Sequence, residues 1–412
     1  MKKTATLLLM LFLFSAISNA QDSFDKIWLE VEKFDAENLP KSALARVDQI
    51  YLKAEKEKNA SQLIKSLVYK SKFSLILEEN AQLKIINNFK KHISKSTFPT
   101  KNVLQNMLAN LYWQYFTQNR YKFYNRTKIL DKVDATDFRT WDLNTLFKEI
   151  HLCFNTSLER SEELQKIDIH DFAAILSIRK DAKKYRPTLF DVLANNALEF
   201  YKSSETSITR PSYKFVINNP SFLTNYKKFL KIKLETKDSL SLKFNALKIY
   251  QKLIQFHSKE SNLNAFANND IDRLQFVKQH ATFKNNEAIF LSALEFAKEN
   301  FNKNDISGLY AFEIAKIYKE KSENNAAITI CDQIIKKYPK SLGAKNCTIL
   351  KKQIKAKSLS ITLEKNIPTN TITRMLINYK NIDHLYFTAY KITNDQLYKF
   401  NRLYKSGEKV AF

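Results

Sequence analysis

Histidines, cysteines and clustered carboxylates are the residues of this chain best suited to metal or nucleophilic chemistry, and their spacing decides what they can do. The six histidines are His92, His151, His170, His257, His280 and His384. No two stand at i, i+4, and there is no HExxH, so no helix face offers a paired imidazole site for zinc. His151 and Cys153 are near neighbours without a third or fourth ligand. The run Asp131, Asp134 and Asp137 in "DKVDATDF" lacks the alternating oxygens and the turn glycine of a calcium loop. It reads as a helix-breaking segment, with Asp137 an N-cap for the next helical turn. The only glycines are Gly308, Gly343 and Gly407, the nearest two 35 positions apart. Phosphate loops, dinucleotide fingerprints and nucleophile elbows need clustered glycines for close backbone approach, so those classes are closed. No Ser, His and Asp set can be assembled. The expectation is a non-enzyme with no catalytic residues, no cofactor and no metal site.

Cys153, Cys331 and Cys347 are an odd set that allows at most one bridge. Cys331 and Cys347 fall on neighbouring predicted helices and could pair. Cys331 also sits at an apolar helix position, where a small buried thiol explains it equally.

Residues 110–127, "NLYWQYFTQNRYKFYNRT", hold seven aromatic rings and three cations in eighteen positions. Rings that stack on bases beside cations that neutralise phosphates are the equipment of a single-strand binder. The alternative is a helix core. In a helix over 103–124, Leu104, Met107, Leu108, Leu111, Tyr115 and Tyr121 or Phe123 lie near one face, with Tyr112, Trp113 and Phe116 beside it. So wide an apolar band belongs to a helix buried between two others, and the core reading is preferred.

The elements that would carry these residues are helices. In "FDKIWLEVEKF", Phe24, Ile27, Trp28, Val31 and Phe34 form one stripe, with charged residues between them. "NLP" at 38–40 stops that helix, and Pro40 opens the next through Tyr51. Further helices are expected over 61–77 and 80–94. Residues 308–341 form the clearest unit: Ile314, Ala315 and Tyr318 on one helix, Ala327, Cys331 and Ile334 on the next, then Pro339. Those spacings resemble the tetratricopeptide repeat, although Ala315 stands where that repeat prefers Gly. Hairpins that cannot each bury an apolar face must stack on their neighbours. The fold class expected is therefore mainly α: a tetratricopeptide-like α-solenoid of helical hairpins, with units of unequal length.

After Lys357 the period changes. "SLSITLEK" alternates Leu359, Ile361 and Leu363 against Ser360, Thr362 and Glu364, a half-buried strand. "TITRMLINYK" and "HLYFTAYKI" read the same way, with turns at "IPTN" and "KNID". Three strands do not complete a β-sandwich, which takes about seven. The expected organisation is a signal peptide over 1–20, an α-helical region over 21–357, and over 358–412 the first strands of an incomplete β-sandwich, the front of something longer.

The signal peptide is "MKKTATLLLMLFLFSAISNA": basic start, apolar run, small residues Ser18 and Ala20 at the cleavage positions. The apolar run is too short to span a bilayer. An exported chain is expected, in the periplasm, in the cell envelope or secreted. Lys and Arg number 67 against 42 Asp and Glu, a net charge of +25. Only eleven of the 67 are Arg. Arg is the residue favoured where phosphate is held bidentately, so the excess is a weak sign of polyanion binding. Residues 210–260 carry the densest charge, at Lys227, Lys228, Lys231 and Lys233, which reads as a solvated face. Protein partners are expected and nucleic acid is not, with weak contact to anionic envelope lipids left open. The oligomeric state is not legible.

The blocks "YWQYFTQNRYKFYNRT", "DFRTWDLNTLF", "YRPTLFDVLANNALEFY", "SLGAKNC" and "NYKNIDHLYFTAYKI", in that order, resemble the N-terminal region of the alpha-2-macroglobulin-like proteins exported by Bacteroidetes-type bacteria. The resemblance implies a helical region ahead of a series of macroglobulin β-sandwiches, the first beginning near residue 358. It also implies a role in trapping or inhibiting proteases through a bait segment and, in many members, a Cys and Gln thioester. No cysteine here lies in a CxEQ-like context, so trapping would reside in sequence other than these residues. This chain would then be the non-catalytic scaffold or docking region. The alternative is a free-standing exported solenoid that binds a protein or peptide.

Overall fold

The structure, a computed structural model, describes residues 24–124, 134, 136–205, 213–364, 367–368, 370–388 and 390–406. The export-signal reading of residues 1–20 and the reading of Asp131 lie outside the described residues. The chain is mainly helical, with two short strands near its end. It divides into two compact units, Met1–Ile314 and Ala315–Phe412.

In the first unit, α1 (24–36) buries Phe24, Trp28 and Val31 against Ala43, Val47, Ile50 and Ala54 of α2 (Pro40–Lys56) and Phe73 of α3 (Ala60–Leu77). Ile27 and Phe34 pack at the edge of that cluster, so the expected stripe is the buried one. Pro40 stands in the first turn of α2, where its missing N–H has no intrahelical partner to lose. Asn59 caps α3 by accepting from the Gln62 backbone N–H at 3.1 Å.

α4 (Ala81–Lys95) leads to the long α5 (Thr100–Tyr124). The fully buried row of α5 is Leu104, Leu108, Tyr112 and Phe116, with Phe123 beyond. Met107, Leu111 and Tyr115, expected on the same face, are only half-buried, and Tyr121 is 83% exposed. α5 breaks helical geometry at Asn119 (φ −115°, ψ 20°). Of the two alternatives the sequence offered there, Phe123 is the buried one and Tyr121 the exposed one.

The middle of the unit is built from short pieces. Asp137 caps a 3-10 turn, Phe138–Thr140, by accepting from the Arg139 N–H, as the sequence led one to expect. Next come α6 (Leu143–Ser157), α7 (Ser161–Leu164), the turn Ile169–Phe172, α8 (Ala182–Tyr185) and α9 (Leu189–Tyr201). The turn Pro220–Leu223 and α10 (Tyr226–Phe229) precede α11 (Leu242–His257), α12 (Leu263–His280), α13 (Asn286–Asn300) and the first half of α14 (Ser307–Glu320). Helices pack on their sequence neighbours from α2 to α6 and from α11 to α13, and α9 bridges α5 and α11. This is the nearest-neighbour stacking of helical hairpins.

The second unit holds the rest of α14, α15 (Asn324–Lys337), α16 (Leu342–Lys355), β1 (Ser358–Leu363), β2 (Met375–Lys380) and α17 (Asn394–Ser406). The strands are antiparallel, with Leu359 opposite Tyr379, Ile361 opposite Ile377 and Leu363 opposite Met375. Asn381 donates to the Ile354 and Ala356 carbonyls, at 2.7 and 3.0 Å, tying the end of β2 to the end of α16. The change from helix to strand falls at 356–357, beside the expected Lys357. The division between compact units falls earlier, inside α14.

Three details of this region differ from expectation. β1 is exposed along its whole length, not half-buried. β2 takes only the latter part of "TITRMLINYK". The described residues of "HLYFTAYKI" form no strand, and a helix comes after them instead. The cause of the helix is local: Thr393 and Gln396 form reciprocal contacts, Thr393 N–H to Gln396 Oε1 at 2.8 Å and Gln396 N–H to Thr393 Oγ1 at 3.3 Å. That is a capping box written in the sequence as "TNDQ".

Trp113 stands against Phe116, Phe147 and Phe200, with ring centroids 5.4, 5.9 and 5.1 Å away. Trp113→Ala should therefore lower unfolding stability by about 3 kcal/mol, mostly as cavity. Urea denaturation with an unchanged slope checks this; a variant as stable as the parent would remove the ring from the core.

Candidate functional site

Helices α3, α5 and α9, with Phe89 of α4 and one turn of the first unit, line an open-sided groove of about 780 Å³. That volume is within the range of about 300–1,000 Å³ usual for ligand sites. α5 forms its floor through Val103, Asn106, Met107, Asn110, Leu111 and Gln114. These positions recur at three and four residues, which places them on one helix face. Leu189, Val192, Leu193 and Asn196 of α9 make one wall by the same rule. Val68 and Tyr69 of α3 make the other, and residues 172–177 close one end. The half-buried state of Met107 and Leu111 now has its reason: they face the groove instead of a neighbouring helix.

The polar atoms of the floor are amides. Asn106 is buried and saturated: its Nδ2 donates to Ser157 Oγ at 3.1 Å and the Leu193 carbonyl at 3.0 Å, and its Oδ1 accepts from Asn196 Nδ2 at 3.0 Å. This ties α5 to α6 and α9. Asn110 donates to the Asn106 carbonyl at 3.1 Å, which leaves its Oδ1 without a partner among the described residues. The Asn196 Oδ1 and the whole Gln114 amide are likewise unengaged there. Asn106, Asn110 and Gln114 succeed one another at four-residue steps, so amides line the groove about every 6 Å. The two-residue repeat of an extended polypeptide is about 6.6 Å, a near match over the length of the groove.

Charge is almost absent from the groove. Lys65 is its one charged lining residue, and the Lys65 ammonium lies 4.0 Å from the centre of the Trp28 ring. Burial lowers its pKa, against the opposing pull of Glu32 and Asp25.

A second concavity, bounded by Asn144, His151, Glu205, Lys214, Asp238 and Lys243 among others, holds only about 50 Å³. That is room for a few waters at about 10–15 Å³ each. His151 stands there between Tyr201 Oη, 2.9 Å from Nδ1, and Asn155 Nδ2, 2.8 Å from Nε2. Burial, aided by Lys248, lowers its pKa to about 4. Cys153 lies on the same helix, its thiol buried and pushed up to about 12 by that burial.

The other residues that drew attention in the sequence are dispersed. Most rings of "NLYWQYFTQNRYKFYNRT" serve the core: Tyr112, Phe116 and Phe123 are fully buried and Trp113 and Tyr115 half-buried, while Tyr121 and Tyr124 are exposed, and Arg120 pairs with the buried Glu205 at 2.5 Å. Lys227, Lys228, Lys231 and Lys233 are exposed, with Lys227 on Asn300 at 3.3 Å and Lys233 on Glu235 at 2.5 Å. Among the described residues no three of His, Cys, Asp and Glu gather as a metal site, and no helix is long and apolar enough to cross a membrane. Sequence reading missed the groove itself. Its signal is the Asn106, Asn110 and Gln114 series inside an apolar helix, where amides are costly unless they are used.

Fold and groove together define a mainly helical protein of stacked hairpins with a neutral, amide-floored channel. No known protein family, no curated protein and no solved structure matches the chain.

His151 gives a pH prediction. Its folded pKa lies below its unfolded value near 6.5, so the unfolded chain binds the extra proton. Stability is full above about pH 6.5 and falls as pH drops toward 4, by about 3 kcal/mol in total. His151→Gln should flatten the difference between denaturation midpoints at pH 7 and pH 5; an unchanged pH slope would discount the burial of the ring.

Proposed function

We propose that this chain is a non-catalytic docking scaffold that holds an extended, largely uncharged segment of a partner polypeptide in the groove between α3, α5 and α9. The observation that carries this is the amide series on α5. Three side-chain amides at about 6 Å steps, two of them with unused hydrogen-bonding atoms, stand beside Met107, Leu111 and Val192. An amide offers donor and acceptor together, which is what an extended backbone presents at alternate residues. The apolar flanks would take the side chains between.

Asn110 and Gln114 support nothing else in the fold through those free atoms. The double change Asn110→Ala, Gln114→Ala is expected to leave the melting temperature within about 2 °C and weaken binding at least about tenfold, from two hydrogen bonds of about 1 kcal/mol each. The assay is an array of overlapping neutral and charged octapeptides probed with the labelled chain. Asn106→Ala should differ in kind, lowering stability because it strands the Ser157 and Leu193 partners. Absence of binding to every neutral peptide, or binding that tracks peptide charge and vanishes with salt, would reject the groove.

The sequence blocks from "YWQYFTQNRYKFYNRT" to "NYKNIDHLYFTAYKI" favour a wider setting for the same scaffold, at the front of an exported alpha-2-macroglobulin-like protein. The cysteines lie in "HLCFN", "TICDQ" and "KNCTI", none followed by the Glu and Gln a thioester would need. Without an activated acyl group there is no electrophile for an amine to attack. The chain incubated alone with proteases should neither block their action on a large protein substrate nor gain methylamine by intact mass. Stoichiometric inhibition, or an amine adduct, would place the trapping function within these residues.

A further inference from the structure

The second unit carries two thiols that face each other. Cys331 belongs to the buried row Ala327, Cys331 and Ile334 of α15, and Cys347 to the buried row Gly343, Ala344, Cys347, Leu350 and Ile354 of α16. Both cysteines are fully buried and both are free. The two helices pack together, with Ala327, Gly343 and Ala344 among the residues buried on them, and such small side chains let helix axes approach closely. An ion pair between Asp332 and Lys351, each near one of the cysteines, spans the same two helices and fixes their register. Each thiol is the largest influence on the other's titration, which makes the two side chains neighbours across the hairpin.

We propose that Cys331 and Cys347 are a disulfide site, closed by exchange with a small-molecule or protein disulfide and opened by thiols. The geometric demand is that the two Cβ vectors point at each other across adjacent backbones, and buried positions on two helices packed as one hairpin suit it. Both sulfurs are buried, so exchange follows local opening of the α15–α16 hairpin. The thiolate of one cysteine attacks one sulfur of the external disulfide, forming a mixed disulfide and expelling one thiolate. The other cysteine then loses its proton and attacks the first cysteine's sulfur, forming the internal bond and expelling the second thiolate. The two cysteine protons end on the departing thiols, and the external disulfide takes up the two electrons. The closed ring spans about 15 residues, a size at which cross-linking restricts the open hairpin substantially.

Cys153 is the internal control, because it stands in the first unit with its thiol raised to about 12. The full chain is folded with oxidised and reduced glutathione, its free thiols are alkylated, and it is digested without reduction. A parallel sample is never unfolded and is only incubated with oxidised glutathione. In both, the expected product is one linked peptide pair holding Cys331 and Cys347, an intact mass lower by two hydrogens before alkylation, and a single alkylated residue, Cys153. Amide exchange in α15 and α16 should slow by about tenfold or more on closure and recover with dithiothreitol. Cys153→Ser must give the same bridge. Three alkylated cysteines, glutathione retained on Cys331, or a bond from either residue to Cys153 or to another chain would each overturn the assignment.

Discussion

One wall of the groove, α9, is anchored by a buried carboxylate. Asp191 in the first turn of α9 is fully enclosed. An ionised carboxylate so placed is tolerable only if every oxygen is met. Oδ2 accepts from the Thr188 N–H at 3.0 Å and from Thr188 Oγ1 at 2.7 Å, and Oδ1 meets His257 Nε2 at 2.6 Å. The Thr188 N–H bond, with the Asp191 N–H donating back to Thr188 Oγ1 at 3.3 Å, starts α9 as a capping box, and the His257 contact pins it to the end of α11. Asp191 thus anchors the start of the α9 wall, and Asn106 ties its middle to α5 through the Leu193 carbonyl and Asn196. Removing its partners would leave a buried charge, typically a loss of about 3–5 kcal/mol.

The same solution recurs deeper in the unit. Asp270 and Arg273 of α12 are both fully buried, with Arg273 Nη2 2.6 Å from Asp270 Oδ1. Arg273 Nη1 also reaches the Phe222 and Thr224 carbonyls at 2.8 and 2.9 Å, and Tyr310 Oη donates to Asp270 Oδ2 at 3.1 Å. Irregular backbone between helices carries polar groups that a hairpin ladder cannot satisfy. The guanidinium supplies the donors for the 220–224 turn, and its rigid fork does so at fixed angles. The short, unequal helices of the middle region therefore hold together through buried polar hubs, where the flanking hairpins rely on apolar stripes.

That contrast explains what was legible in advance. Where burial is apolar, period reveals it: the stripe from Phe24 to Val31, the helix over 60–77 and the row Ala327, Cys331 and Ile334 were all readable from spacing. Where burial is polar, period is silent. Asp191, His257, Asp270 and Arg273 look like surface residues in the sequence, and their partners lie as far as 66 positions away. The groove was hidden for a related reason. Met107 and Leu111 count as core by composition, and only tertiary placement shows that the facing volume is open. At the chain's end the error ran the other way. Alternation in "HLYFTAYKI" suggested a strand, but a strand needs an edge to join, whereas the Thr393 and Gln396 box starts a helix from local contacts alone.

The distribution of charge bears on what the groove selects. With a net charge of +25 the molecule attracts anions at long range over much of its surface. A site meant for a polyanion would gather that charge where the ligand rests. This groove does the opposite: of twenty lining residues one is charged, and that one is drawn onto Trp28. Neutral amides discriminate by position of donors and acceptors, and they penalise a ligand that leaves them unpaired once water is displaced. The recognition such a floor can offer is thus insensitive to salt and sensitive to register. An extended backbone has both properties to match, and a phosphate-rich strand or lipid surface has neither.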